Sequence, residues 1–138
     1  MKRAEILAEQ TRLLALANTL AWRHWGVEYT GALRLTNRNW TRMEACYAWC
    51  ADLADMSVQE IRMSVPVNTR IGEVRAEGNL LHELVHWRLH TTGQPFDDVD
   101  DTFIAECLRV GAPLSMGRRE QAAYRLYRMK NGLIEEAA

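Results

Sequence analysis

The chain has 138 residues, 48 % hydrophobic and 25 % charged, with a net charge of −1. That composition is ordinary for a globular protein and long enough for one domain with a real core. A charge so close to zero excludes any global pull toward nucleic acid or an anionic membrane, so contact with DNA would need a local patch. No apolar run approaches the ~20 residues that span a bilayer, and the amino terminus carries no signal-type segment, so a cytoplasmic protein with no membrane partner is expected. Cys46, Cys50 and Cys107 are an odd number without a Cys-x-x-Cys pair, which argues against a disulfide framework or a four-cysteine zinc site. Cys46 and Cys50 stand at i, i+4 and would share a face if helical, but small buried thiols are the plainer reading.

Residues 3 to 25 place Ile6, Leu13, Ala17, Leu20 and His24 on one stripe, with Leu7, Leu14, Ala21 and Trp25 beside it. This predicts a long amphipathic helix that stops at Gly26. His24 near its end is expected to face the last carbonyls rather than a metal. Gly31 to Thr36 alternates Leu33 and Leu35 with Arg34 and Thr36, a half-buried strand, and Asn37 to Asn39 reads as a turn. Trp40 to Trp49 alternates loosely, as a second strand or a short helix, and Glu60 to Val65 alternates again until Pro66 stops it. The five tryptophans are expected to pack in the core and at its rim.

Leu80 to His90 is the chemically informative stretch, with Leu80, Leu81, Leu84, Val85 and Leu89 apolar and three of the four histidines in nine positions. On a helix His82 and His86 stand one turn apart with Cβ atoms roughly 5–6 Å from each other, so both imidazoles can converge on one ion. Zinc takes histidine nitrogen at about 2.0–2.1 Å. Glu83 lies about 100° round the helix, where its carboxylate can reach a water on the metal without ligating it. This is the His-Glu-x-x-His arrangement of zinc peptidases. A buried helix whose histidines pair with carboxylates is the plainer alternative. Gly78 falls before this helix or in its first turn, and the helix should end between Thr91 and Gly93, with Pro95 beyond.

Four aspartates lie between Phe96 and Asp101, and the last of them suit the amino end of a short helix over Thr102 to Val110, stopped by Gly111 and Pro113. Arg118 to Lys130 predicts a final helix with five cations and two tyrosines, read as a solvated face, with a phosphate backbone as the other reading.

Taken together, the Asn37-Arg38-x-Trp40 segment, the Ile61 to Ser64 strand end, Leu-Leu-His-Glu-Leu-Val-His, Thr92 to Gln94, and Phe103 with Cys107 and Gly111 resemble the SprT-like zinc metalloprotease domain over most of residues 5 to 112. The resemblance implies an α+β fold with a small three-stranded sheet, an amino-terminal helix and the motif helix packed on the sheet. It implies a single domain over residues 1 to 138, with a core at about 5 to 112 and a carboxy-terminal helix at 116 to 131. It also implies a zinc-dependent peptidase related to the Spartan proteases, which digest proteins crosslinked to DNA. The extra Cys pairs and basic tails of family members with DNA-binding modules are missing here, and Val99 stands where the family's third ligand, a histidine, is expected. Valine cannot bind zinc.

Geometry ranks the replacements. His90 lies eight residues past His82, about 12 Å along a straight helix, too far to share its ion. Glu106 follows His86 by twenty positions, the spacing of thermolysin-like peptidases. It also projects within about 20° of position 99 if the short helix extends back at 100° per residue, and it is the preferred third ligand. Asp98 and Asp100 are the next choices. The expected chemistry is zinc-assisted peptide hydrolysis with His82, His86 and Glu106 as ligands and Glu83 as the base, acting on a protein or peptide substrate. A non-catalytic domain that binds protein or DNA is the alternative.

Overall fold

A computed structural model describes residues 1–49 and 58–133 of the chain. Among these residues the order is α1 (Arg3–Trp25), β1 (Ala32–Thr36), β2 (Ala45–Trp49), β3 (Gln59–Ser64), α2 (Val65–Ile71), α3 (Glu73–Thr91), α4 (Asp101–Val110) and α5 (Arg118–Lys130). The α+β class expected from the sequence is therefore present. The sheet order is β1-β3-β2, with β1 parallel and β2 antiparallel to β3.

Register explains how three short strands support a core. Leu33, Ile61 and Tyr47 are cross-strand partners, and all three are buried on the face that meets the helices. The opposite face carries Arg34, Arg62 and Cys46 in line, with Glu60 paired to both arginines. Period-two alternation thus separates an apolar from a charged face. The stripe predicted for α1 is buried at Leu13, Ala17, Leu20 and Ala21, and Gly26 ends the helix at φ 66° with its N–H on the Trp22 carbonyl. Leu80, Leu84, Val85 and Leu89 of α3 fill the space between sheet and α1, joined by Phe103 and Cys107 of α4. Trp87 is buried and donates to Gln59, whereas Trp22 and Trp49 are about half exposed.

Two boundaries differ from the sequence reading. Pro66 does not merely stop β3. The chain turns at Ser64 straight into α2, where proline suits the first turn because its missing N–H has no partner there anyway, and the Ser64 hydroxyl accepts from the Val67 N–H. The motif helix starts at Glu73, so Gly78 lies inside it. A Cβ on Gly78 would meet the Pro113 ring at 3.5 Å, an ordinary contact distance, so the segment after α4 packs against α3 here without requiring glycine. No described helix is long and apolar enough to cross a membrane.

Candidate metal centre

His82, Glu83 and His86 occupy the buried middle of α3, and their ligand atoms lie within 4.8 Å of one another in a group that could hold a metal ion. The apolar residues at 80, 81, 84 and 85 seat this turn in the core and leave the imidazoles on one face, their ring centroids 5.1 Å apart. Phe103 fixes both rings, stacked on His86 at 4.1 Å and edge-on to His82 at 5.1 Å.

The ring nitrogens are assigned by what each one meets. His82 Nδ1 lies 2.6 Å from the Pro113 carbonyl, and His86 Nδ1 lies 2.5 Å from the Phe96 carbonyl. A carbonyl only accepts, so each Nδ1 carries the proton and donates it. Both Nε2 atoms are thereby turned inward toward a common point. Histidines that ligate metals are held in this way, with the far nitrogen hydrogen-bonded to an outer acceptor.

At that common point stands Asp98. Its Oδ1 is 3.0 Å from His82 Nε2 and 3.3 Å from His86 Nε2. Donors each 2.0–2.1 Å from one ion in tetrahedral array lie about 3.3 Å from one another. Two imidazole nitrogens and one carboxylate oxygen at these separations fit a three-ligand metal site. Asp98 is carried on a tight turn, in which the Asp97 N–H donates to Asp100 Oδ2 and the Val99 N–H to Asp97 Oδ1. Asp100 is the residue before α4, yet its carboxylate closes this turn instead of capping the helix.

Electrostatics match the geometry. Burial opposes charge on His82, but its hydrogen bonds to Asp98 and Cys107, the nearby Glu83 and the Pro113 carbonyl together push its pKa up to about 11. Burial likewise opposes ionisation of Asp98, and its hydrogen bonds to both imidazoles outweigh that, holding the carboxyl well below the usual range. The arrangement therefore favours a protonated His82 beside an ionised Asp98. Burial pushes the Glu83 pKa up, only partly countered by His86 and His82, and its Oε2 is buried without a hydrogen-bond partner among the described residues.

The preferred third ligand of the sequence reading is not brought to this place. Glu106 pairs with Arg109, whose guanidinium also reaches the His24 carbonyl at the end of α1. The phase argument fails because α4 begins only at Asp101, so residues 97 to 100 turn and position 106 no longer projects where position 99 does. Asp98, ranked behind it, meets the imidazoles. His90 is buried with Nδ1 2.8 Å from the Tyr47 hydroxyl and is not part of the cluster. His24 packs edge-on against Trp25 at the end of α1. Cys46 lies on a strand, so the helical pairing with Cys50 does not arise, and Cys50 itself lies outside the described residues. The two carbonyl acceptors were missed, because any residue type supplies one. Comparison with protein-family models, curated proteins and solved structures finds no match to this chain.

Proposed function

We propose that the protein is a zinc-dependent metallopeptidase of the SprT-like kind, acting on protein or peptide substrates in the cytoplasm. One observation carries this reading: a buried His-Glu-x-x-His turn whose two Nε2 atoms converge on a carboxylate oxygen at ligand-to-ligand separations. His82, His86 and Asp98 would hold the zinc. An ion held there supplies Lewis acidity, lowering the pKa of a water and polarising a peptide carbonyl.

The chain's own contribution is proton handling and orientation. Glu83 is the general base, and its buried Oε2, without a partner among the described residues, would accept a proton and pass it to the leaving amine. Burial that raises its pKa brings a carboxylate closer to the range in which it can both take and release a proton near neutrality. Pro113 and Phe96 fix the tautomers that present Nε2 inward, and Phe103 keeps both rings from rotating. The zinc-loaded Glu83→Gln variant should keep its metal and lose chelator-sensitive cleavage of casein or a fluorogenic peptide. Undiminished cleavage by that variant would refute the assigned base.

A second reading rests on the same aspartate. Asp98 and a protonated His82 satisfy one another without a metal, as expected of a non-catalytic domain that binds protein or DNA. Such a domain would show no chelator-sensitive proteolysis and no zinc in elemental analysis.

A further inference from the structure

His90 is the one buried histidine of α3 that the metal centre does not use. It is 2 % exposed, and its Nε2 has no hydrogen-bond partner among the described residues. A leucine would pack there without stranding a polar atom, and the hydrogen bond that histidine adds among the described residues is made through its other nitrogen. That nitrogen lies 2.8 Å from the Tyr47 hydroxyl, in the middle of β2. Burial lowers the His90 pKa and favours the neutral imidazole, whose Nδ1 either accepts the Tyr47 hydroxyl proton or donates its own to the hydroxyl oxygen.

The bond fixes the plane of the His90 ring, and the ring meets Phe96 at 4.8 Å between centroids. Trp49 meets Phe96 edge-on at 5.2 Å and His90 at 6.3 Å, so the three rings form one cluster. Phe96 is the residue whose carbonyl accepts the His86 Nδ1–H. We propose that Tyr47 and His90 are positioning residues for the metal centre: hydrogen-bonded to each other, they hold Phe96 so that its main-chain carbonyl keeps the His86 ring turned with Nε2 toward Asp98. The sheet thereby sets the orientation of a ligand on the helix. This rests on His86 being a metal-facing ligand, as proposed above.

His82 supplies an internal control, because its Nδ1–H goes to Pro113, in the segment after α4, and not to Phe96. In nitrogen-15-labelled full-length protein, with and without zinc, both Nδ1–H protons should exchange slowly with solvent. Tyr47→Phe, which keeps the ring and removes only the hydroxyl, should speed exchange at His86 several-fold and leave His82 unchanged. His90→Gln should do the same, and both variants should bind zinc about tenfold more weakly, the low end of effects seen when an outer partner of a ligating histidine is lost. Unchanged exchange at His86 would overturn the proposal. So would equal acceleration at both histidines, which is general loosening. If no form binds zinc but exchange at His86 alone responds, the metal reading fails while the positioning role stands.

Discussion

Replacing Asp98 by alanine removes the single oxygen that lies 3.0 and 3.3 Å from the two Nε2 atoms and leaves the imidazoles held by Pro113 and Phe96. Four-ligand zinc sites bind with about 10–16 kcal/mol, so one ligand of the set carries ~3 kcal/mol, or about two orders of magnitude in affinity. Competition against a zinc-binding dye on the full-length protein measures this directly. Thermal unfolding gives an independent reading. At zinc 100 times the parent's dissociation constant the parent gains about 2.7 kcal/mol, and a variant bound a hundredfold more weakly gains only about 0.4 kcal/mol. Asp98→Asn, which keeps a neutral oxygen, should fall between. If Asp98→Ala binds zinc as tightly as the parent while Glu106→Ala does not, the aspartate is no ligand and the distance argument is wrong.

Glu106→Ala should leave zinc affinity unchanged and lower stability by no more than about 1 kcal/mol, because its partner is the half-exposed Arg109; denaturant titration measures this. Acidity should act on the metal-free protein through Asp98. Its folded pKa lies below 3.8, so the stability it contributes is present above that value and lost as pH falls through the lower one. His82 works at the other end: with its pKa raised from 6.5 to about 11, its contribution is complete below 6.5 and disappears as pH rises through 11. Unfolding of chelator-treated protein across that range should show both flanks, and a profile flat from pH 2 to 11 would contradict the pairing. Since His82 must lose its proton to ligate, zinc affinity should rise with pH over the same span, measured by the dye competition at several pH values. Gly26→Ala meets no atom within 4 Å but must adopt φ 66°, so it should cost about 1–2 kcal/mol in equilibrium unfolding without changing zinc affinity.

Much of this was legible in the residues. The buried stripe of α1 and its glycine stop, the alternation of Leu33 and Ile61, and the pair of histidines one turn apart are periodic signals that tertiary packing then exploits. Where the structure departs from the sequence reading, a local cue meets a tertiary arrangement it does not encode. A glycine or proline reads as punctuation in a sequence, whereas Gly78 lies inside α3 and Pro66 opens a helix. Glu106 was favoured by helical phase, and phase carries no information across a turn such as 97–100. The sheet order β1-β3-β2 also left no local trace, since it depends on pairing between distant strands.

Both imidazoles are oriented by acceptors on the main chain, at Phe96 and Pro113. An exchange of side chain at either position leaves an oxygen in place, so point substitution cannot delete it. Changing the number of residues can. Inserting or removing one residue between Thr92 and Asp98, or between Val110 and Pro113, would slide the oxygen off its nitrogen. The lengths of those two connections therefore constrain the centre together with the Phe96 ring on which the first of them is anchored.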